Sequence, residues 1–380
     1  MLNSISIQNF KSHRETALDL KPLTVFCGAN GAGKSSVIQA LLLLRDSFLN
    51  NNLQYLNLQA EATPLGTSQD VLHQNSGSHQ ISIGISTSQG ALDCIYALPG
   101  RGRDTSKTII PALPSASPPT NLEALKQESL FNASCQYISS ARSGPLQLYP
   151  KNDRVVEVLK QISVMEGRAE HFIHYLYANR NLKVLQGLMR PGTEDTGLLD
   201  QVGAWEKALC HDIHIHIQDN GPLGHELKYA FDGEQGRTEQ MAAGNVGFGL
   251  TYALPILVAI LSAPRGGLLF IENPEAHLHP NAIAALTQLL CLAAQAGVQL
   301  IVETHSDHVI NGILVNCKRF LQKELGLEID KIAIYHFDRE PRTHDTRAIP
   351  IPIESDGRIR TTQAGFFDQF MLDRKFLMGF

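Results

Sequence analysis

The sequence predicts an α/β fold with a mixed central sheet, an antiparallel side sheet and a small helical insertion. Three observations support this fold class. A glycine-rich loop separates a strand from a helix at 28–35, an apolar strand ends in a carboxylate at Glu272, and strands alternate with helices from 249 to 337. The length agrees, because 380 residues suffice for one elaborate domain or two simple ones.

The composition is that of an ordinary globular protein. With 43% hydrophobic and 18% charged residues the chain is not disordered, and a net charge of -5 gives no overall attraction to nucleic acid. No apolar run approaches the roughly 20 residues that span a bilayer, and the N-terminus lacks a signal-peptide core. The six cysteines are scattered without a Cys-x-x-Cys pair, which indicates a reducing compartment. We expect a cytoplasmic protein without membrane contacts.

We expect three parts along the chain. An N-terminal lobe, 1–150, contains the glycine-rich loop and an antiparallel β region; 151–210 form the helical insertion; 211–380 form a C-terminal lobe ending in an amphipathic helix. The Pro- and Ser-rich stretch 99–119 is expected to be an exposed loop. Apolar patterns predict strands at 5–10, 23–27, 81–85, 92–97, 213–217, 227–231, 268–271, 299–302 and 331–337. Helical spacing predicts helices at 37–48, 249–261, 280–296, 306–325 and 365–378. The strands at 213–217 and 227–231 are expected to return to the main sheet.

The loop at 28–35, GANGAGKS, fits the phosphate-binding pattern G-x-x-x-x-G-K-S in the required strand-loop-helix context. Its backbone N–H groups would cradle phosphates at a helix N-terminus. Lys34 would contact the β- and γ-phosphates, and the Ser35 hydroxyl would ligate magnesium. The predicted nucleotide-binding residues of this loop are Asn30, Gly31, Ala32, Gly33, Lys34, Ser35 and Ser36.

The predicted catalytic residues follow the next strands. Glu272 can hold magnesium opposite Ser35. Asn273 is a neutral amide, which can orient an attacking water but cannot accept its proton. Glu275 can compensate for that, although an acid at the entry of a helix is an equal alternative. His305, in VETHSDH, is placed to reach a γ-phosphate.

Other polar residues allow two interpretations each. His277 and His279 are better explained as shaping a turn and a subunit contact than as metal ligands. His214 and His216 share a strand face, where solvent-facing histidines are commoner than a metal pair. Arg142 follows a strand, so it could touch phosphate or a neighbouring subunit, or equally be a surface residue.

The blocks ISIQNFKSH, GANGAGKS, GNVGFGLTYALP, LLFIENPEAHLHP and VETHSDH, in this order, resemble the ABC-type ATPase head of the SMC/RecF/OLD-like class. The resemblance implies an ABC-type P-loop NTPase that uses ATP and Mg²⁺. In that class the signature of one subunit closes over the nucleotide of another. Asn245, Gly247 and Gly249 would then act in trans in an ATP-sandwiched homodimer or a higher even oligomer.

The same resemblance implies further roles for single residues. His305 would be the switch histidine and Arg14 a nucleotide contact. Gln69 falls near the magnesium-sensing Q-loop of the class. Asn273 stands where the class usually has its catalytic glutamate, which predicts slow hydrolysis.

The C-terminal GRIRTTQAGFFDQF resembles that of compact bacterial ATPases named only as AAA family ATPases. Several relatives, the Septu ATPase among them, act in anti-phage defence with a nuclease partner. Fewer than sixty residues separate Asn152 from Cys210, too few for long coiled-coil arms. OLD nucleases append a Toprim domain, whereas 75 residues follow His305 here. We therefore expect an ATPase switch that regulates a separate nuclease or other effector.

The alternative is a DNA repair or recombination ATPase of the RecF type. It would bind nucleic acid directly, with Arg101, Arg103 and Lys107 as the best local cations, or through its partner. A detached cassette of a membrane transporter suits the GFFD tail less well.

Overall fold

A computed structural model describes residues 1–98, 106–113, 122–360, 366 and 369–378. The strands are β1 Leu2–Phe10, β2 His13–Asp19, β3 Leu23–Gly28, β4 Tyr55–Asn57, β5 Gln59–Ala60, β6 Thr63–Pro64, β7 Gln80–Thr87, β8 Gly90–Ala97, β9 Ile109–Pro111, β10 Cys135–Ile138, β11 Ile213–Asp219, β12 His225–Gly233, β13 Gly236–Arg237, β14 Met241–Ala242, β15 Leu268–Glu272, β16 Gln299–Glu303, β17 Ile332–Arg339 and β18 Thr346–Pro350. The α-helices are α1 Lys34–Asn51, α2 Ser68–Val71, α3 Leu122–Leu125, α4 Phe172–Ala178, α5 Leu198–Leu209, α6 Phe248–Ser262, α7 Pro280–Gln295, α8 Asp307–Leu321 and α9 Gln369–Leu377.

The central sheet is mixed, as predicted, and has the strand order β10-β15-β16-β3-β17-β18. Its first five strands are parallel, and β18 pairs antiparallel with β17. Every residue of β15 and β16 is buried, as expected for parallel strands covered on both faces. Because parallel strands end at the same edge of a sheet, the residues that follow β3, β10, β15 and β16 meet there.

Two hydrophobic cores lie on the two faces of this sheet. Along β15, Leu269 and Ile271 pack into the core that contains α6, α7 and α8. Leu268 and Phe270 point the opposite way, into the core formed with α1 and the side sheet. This alternation follows from the two-residue repeat of a strand. The Glu272 strand is therefore fixed from both sides.

The predicted antiparallel side sheet is confirmed, with the order β2-β1-β7-β8. In β1, Ile5 and Ile7 are buried and pair with Ile85 and Ile83 of β7. β2 starts early, at His13, three residues after the end of β1 at Phe10. This early start matters because it brings His13 to the phosphate loop.

The prediction that 213–217 and 227–231 return to the main sheet is wrong. They form a separate antiparallel sheet, β11-β12-β13, with β14 paired to β12. Their positions as strands were right, because apolar alternation indicates an extended segment. The alternation does not determine which strand an extended segment pairs with.

The predicted helical insertion contains short helices. Between 154 and 209 the chain forms a π-helical turn, Arg154–Val158, followed by α4 and α5. The helix expected at 306–325 ends at Leu321. The C-terminal helix is described as α9, while 361–365 and 367–368 lie outside the described residues, as do 99–105 and 114–119 of the expected exposed loop. The prediction of an exposed loop is wrong for 109–111, which form β9, pair with β4 and bury Ile110. Within the described ranges, no helix combines the length and apolar character needed to cross a membrane.

Candidate functional site

The phosphate loop connects β3 to α1, in the context that the sequence predicts. Gly28, Gly31 and Gly33 have φ angles of 130°, 75° and 101°, a region that glycine enters without a steric penalty. A side chain on Gly28 would collide with the Phe337 carbonyl, and one on Gly33 with the Thr346 hydroxyl. Because α1 begins at Lys34, its unpaired N–H groups face the loop and favour an anion there.

Two residues outside the loop hold it in place. The Thr346 hydroxyl donates to the Ala32 carbonyl at 2.9 Å, and His13 Nε2 lies 2.9 Å from the Gly33 carbonyl. Burial lowers the pKa of His13 to about 4, so its ring is neutral at pH 7. Since a carbonyl only accepts, Nε2 carries the proton, and Nδ1 accepts from the Thr16 hydroxyl at 2.9 Å. Sequence reasoning missed both supports because they come from β2 and β18.

Lys34 is buried inside the loop. Its Nζ donates to the carbonyls of Gly28 at 3.0 Å and Ala29 at 2.8 Å and lies 3.8 Å from Glu303 Oε1. Burial lowers the pKa of Lys34, and the charge of Glu303 opposes that change. The ammonium is thus available to bound phosphates at the position that the motif predicts.

Glu272 lies at the end of β15 as predicted. Its Oε1 accepts from the Tyr137 hydroxyl at 2.9 Å, and its Oε2 accepts from the Ser140 backbone N–H at 3.1 Å. It pairs in register with Glu303, the last residue of β16. The two strands therefore present two carboxylates side by side at the same edge of the sheet.

Glu303 is a candidate functional residue that the sequence analysis did not assign. Burial, and secondly the charge of Glu272, raise its pKa to about 7, while the Ser35 hydroxyl and the Lys34 ammonium oppose this rise. The sequence did contain a signal for Glu303. It is the last residue of an apolar strand, just before His305, in the same way that Glu272 is the last residue of the preceding strand. Only the register of β15 and β16 brings the pair together.

The residues at this edge fit a magnesium ion. At this edge, three buried oxygens have no hydrogen-bond partner among the described residues: Asn273 Oδ1, Glu275 Oε2 and Glu303 Oε2. Magnesium prefers oxygen ligands and keeps several waters. No group of three or more His, Cys, Asp or Glu side chains in the described ranges is arranged to hold a metal by itself. Ser35, water and nucleotide oxygens would complete the shell around Glu272 and Glu303.

The other predicted catalytic residues also converge here. Asn273 has φ 44°, and its backbone N–H donates to the Glu303 carbonyl at 2.8 Å. Glu275 Oε1 accepts from the His305 backbone N–H at 2.9 Å, so Glu275 does face this site. Burial lowers the pKa of His305, whose Nε2 lies 3.9 Å from Glu303 Oε1.

A cavity of about 420 Å³, here called the cradle cavity, joins these groups. Its lining includes Asn30, Gly31, Gly33, Lys34, Ser35, Ser36, Ser140, Asn273, Glu303 and His305. A second cavity of about 700 Å³, the flanking cavity, shares Lys11 and Ser12 with it. The two cavities are therefore neighbours, separated at most by these shared residues.

Two predicted residues lie elsewhere. Gln69 is exposed on α2 and lines the flanking cavity instead of the cavity of Ser35. Arg14 is exposed, 4.0 Å from Asp345 Oδ2, and is not among the residues that line either cavity. At the sheet edge itself, Ser140 follows β10 and contacts Glu272. The roles of Gln69 and Arg14 stay predictions.

The predicted signature segment, 245–249, contains exposed residues and one residue that packs within the subunit. Asn245 and Gly247 are exposed, and a side chain added to Gly247 would meet open space. Gly249 is different, because a side chain there would collide with the His277 carbonyl of the same chain. Gly249 is therefore required for packing within the subunit, whatever it contacts in trans.

The sequence left three roles open for Arg142: contact with phosphate, contact with a neighbouring subunit, or a surface position. The surface position is wrong. The Arg142 side chain is buried, and its guanidinium donates to the carbonyls of Tyr252, Ser139, Glu272 and Asn273 at 2.8 to 3.0 Å. It also lies over the Tyr252 ring, 4.0 Å from its centroid. Burial lowers its pKa to about 10, so it is charged at neutral pH.

Three of the remaining histidines have structural partners, whereas the half-buried His216 has none for its Nε2 among the described residues. His279 caps α7 by accepting from the Asn281 N–H at 3.4 Å, which confirms its role in the turn, and His277 packs edge-on against Phe248 and Tyr252. His214 is not solvent-facing but half-buried, 2.6 Å from Asp232 Oδ2. Of the candidate nucleic-acid contacts, Arg101 and Arg103 lie outside the described residues and Lys107 is exposed.

Comparison with known proteins shows which families the chain resembles. A family model described as "AAA ATPase domain" matches 1–133, and one described as "AAA domain, putative AbiEii toxin, Type IV TA system" matches 136–311. The Old nuclease of Escherichia phage P2 is 23% identical over 365 residues, which cover 83% of this chain and 59% of that protein. The chain thus spans about three-fifths of the length of this relative.

Solved structures show the same fold. An SmcHead bound to the C-winged helix domain of ScpA has a TM-score of 0.55 at 14% identity, with 93% of this chain and 98% of that chain covered. An Smc head domain with an extended coiled coil, bound to the C-terminal domain of ScpA derived from Pyrococcus furiosus, has a TM-score of 0.51 at 12% identity, with 99% of each chain covered. The two AAA ATPase family matches, the similarity to Old nuclease and the SMC-head fold together support an ABC-type ATPase of the SMC/RecF/OLD-like class.

Proposed function

We propose that this protein is an ATP-controlled switch that binds ATP with magnesium, pairs head to head with a second copy and regulates a nuclease or other effector. The observation that carries the proposal is the convergence of Lys34, Ser35, Glu303 and His305 on the cradle cavity, with Glu272 paired in register beside Glu303. These groups supply the phosphate-binding ammonium, the hydroxyl and carboxylate ligands for magnesium, and a histidine near the terminal phosphate.

The nucleotide would extend from one cavity into the other. Its phosphates would lie on the N–H groups at the start of α1. Its nucleoside would lie in the flanking cavity, which is next to the cradle cavity because Lys11 and Ser12 line both. Magnesium, when bound, would neutralise charge that develops on the transferred phosphoryl group. Lys34 would hold the phosphates, and the neutral His305 ring would contact the terminal phosphate.

We further propose that turnover is slow. Asn273 lies in the cavity but its amide cannot take a proton from water. A slow step would lengthen the lifetime of the ATP-bound state, so that binding itself would carry the signal to a partner.

The second subunit would complete each site. The exposed Asn245 and Gly247 support this part of the proposal, because backbone N–H groups beside a helix N-terminus suit a phosphate of the opposite nucleotide. The assembly would be a homodimer or a higher even oligomer.

The effector is proposed from the relatives. The similarity to a protein named Old nuclease favours a nuclease, acting in bacterial anti-phage defence. Affinity purification of the tagged chain from its own cells, with ATP or with ADP, tests this. A nuclease retained only with ATP would support the proposal, and a membrane permease as the specific ATP-dependent partner would contradict it.

The ATPase switch is tested by nucleotide binding and phosphate release. Lys34→Ala should abolish both, since it removes the ammonium from the phosphate loop. Lys207→Ala, an exposed residue of α5, is the matched lysine control and should behave as wild type. Vigorous ATP hydrolysis that survives in Lys34→Ala would overturn the assignment.

A further inference from the structure

Arg142 connects the site where the chain holds its own nucleotide to the signature segment, 245–249, that it would present to another subunit. We propose that Arg142 is a positioning residue that couples the two, so that ATP bound in the cradle of one subunit prepares that same subunit's signature segment for its partner. This inference rests on the proposed function and adds an intrasubunit regulation to it.

The connection begins at the magnesium carboxylate. Glu272 Oε2 accepts from the Ser140 N–H at 3.1 Å, so movement of Glu272 toward a metal would draw the 139–142 loop with it. Arg142 is the last residue of that loop, and its Nη1 donates to the Ser139 and Glu272 carbonyls at 3.0 and 2.8 Å. A displacement of either the loop or the strand end would therefore move the guanidinium.

The connection continues into the signature helix. Arg142 Nε donates at 2.8 Å to the Tyr252 carbonyl, in the first turns of α6, and the Tyr252 hydroxyl donates to the Ser140 carbonyl. Arg142 Nη2 donates to the Asn273 carbonyl at 2.8 Å. A planar group with fixed donors transmits displacement better than a flexible chain with one ammonium, because its bonds constrain one another's direction.

A second contact joins the same two elements. Phe248 and Tyr252 of α6 pack against the His277 ring, with centroids 4.8 and 5.0 Å apart, and Gly249 touches the His277 carbonyl. His277 has φ 63° and Asn273 has φ 44°, so both ends of the turn after β15 lie in a restricted backbone region. The turn and α6 therefore shift as a unit.

Coupling of this kind is reciprocal. If ATP in the cradle favours one position of the signature segment, engagement of that segment by a partner raises the affinity of the cradle for ATP by the same factor. In the proposed dimer, occupancy of one site would thereby favour completion of the other.

Hydrogen exchange of the full chain carrying Gly247→Asp tests the coupling. The added carboxylate meets open space within the subunit but would repel a partner's phosphates, so the chain is studied as a monomer. Addition of ATP and magnesium should slow exchange at 28–36, which reports binding. It should also change exchange at 245–252 by about fivefold or more, the lower end of ordinary coupling.

The variant Arg142→Gln in the same background should keep the response at 28–36 and lose the response at 245–252. Arg142→Lys, which keeps the charge but not the planar set of donors, should lose it too. Arg265→Gln is the matched control, since it makes the same change at an exposed arginine outside these contacts, and it should respond as the parent does.

The outcomes separate the two claims. If ATP protects 28–36 but 245–252 does not respond in the chain with Arg142 intact, or responds equally in Arg142→Gln, the coupling is wrong while ATP binding stands. If neither segment responds, the proposed function itself fails. Lost protection at 28–36 in Arg142→Gln and Arg142→Lys alike would make Arg142 a structural residue and overturn its positioning role.

Discussion

The backbone conformation of Asn273 explains why an asparagine suits this position. Its φ of 44° lies in the left-handed region, which asparagine enters more readily than glutamate. The amide carbonyl oxygen is buried without a partner among the described residues, and the backbone N–H is held by the Glu303 carbonyl. Asparagine therefore fits the backbone conformation of this turn, but it leaves the position without a carboxylate that could accept a proton from water.

We predict that Asn273→Glu raises ATP turnover, by about tenfold or more if the missing base is limiting. The same change should lower stability by about 1 kcal/mol, because glutamate is less favourable at this φ. Steady-state phosphate release and thermal unfolding measure the two effects. Asn273→Asp, whose carboxylate is one methylene shorter, is the control for charge alone; an unchanged rate in Asn273→Glu with intact ATP binding would show that the base lies elsewhere.

Glu303 should be needed for magnesium. We predict that Glu303→Gln, which keeps the size and removes the charge beside Ser35 and Lys34, weakens Mn²⁺ or Mg²⁺ affinity of the ATP-bound protein by about 10- to 100-fold. Calorimetric titration of the metal checks this. The exposed Glu324→Gln serves as the control. Unaltered metal affinity would assign Glu303 to the support of Lys34 only.

Glu206 lies away from the site, and its burial predicts that the stability of the protein depends on pH. It is fully buried on α5 beside Tyr229, and burial raises its pKa to about 8. At a pH between the unfolded and folded pKa values of Glu206, its carboxyl group is protonated in the folded state and ionised in the unfolded state. The stability that this proton contributes is complete below the unfolded pKa and is lost as the pH rises toward 8. The slope is on the order of 1 kcal/mol per pH unit.

Glu206→Gln should therefore gain stability relative to wild type as pH increases from about 5 to 8. Urea unfolding of the two proteins across that range measures the difference. A difference that does not change with pH would mean that Glu206 is not protonated in the folded protein.

At the scale of elements, α6 and the turn after β15 are fitted to each other through Gly249. We predict that Gly249→Ala lowers the free energy of unfolding by about 1–3 kcal/mol, because its methyl group would overlap the His277 carbonyl. Gly247→Ala, two residues away in open space, should change it by less than about 0.5 kcal/mol. Equal stabilities in denaturant titrations would contradict the close packing described for Gly249.

The elements and residues that could be predicted were those with a local signal. The strand-loop-helix around Lys34 and the strand ending at Glu272 carry their motifs in a few adjacent residues. The partners of β11 and β12 could not be predicted, because strand pairing depends on distant segments. Arg142, His13 and Thr346 acquire their roles only through contacts with distant segments, so no local pattern distinguished them. Glu303 carried a local signal at the end of its strand, but its pairing with Glu272 depends on the register of β15 and β16.

At the scale of the whole molecule, the central sheet separates the two functional halves of the head. The phosphate loop leads into α1, which packs in one core, and α6, which follows the signature segment, packs in the other. β15 is shared by both cores and ends at Glu272. Changes at the nucleotide would therefore reach the opposite face through this strand and the loop that holds Arg142.

We propose that each ATP site is completed by a second copy of the chain. Mixing two inactive variants tests this proposal. Lys34→Ala loses its own phosphate loop, and Gly247→Asp loses the segment that it offers to its partner. Each alone should release almost no phosphate. Their equal mixture should recover phosphate release, because a mixed dimer has one intact composite site, formed by the phosphate loop of Gly247→Asp and the signature segment of Lys34→Ala. Full activity of Gly247→Asp alone, or a mixture whose mixed dimers form yet stay inactive, would contradict the account.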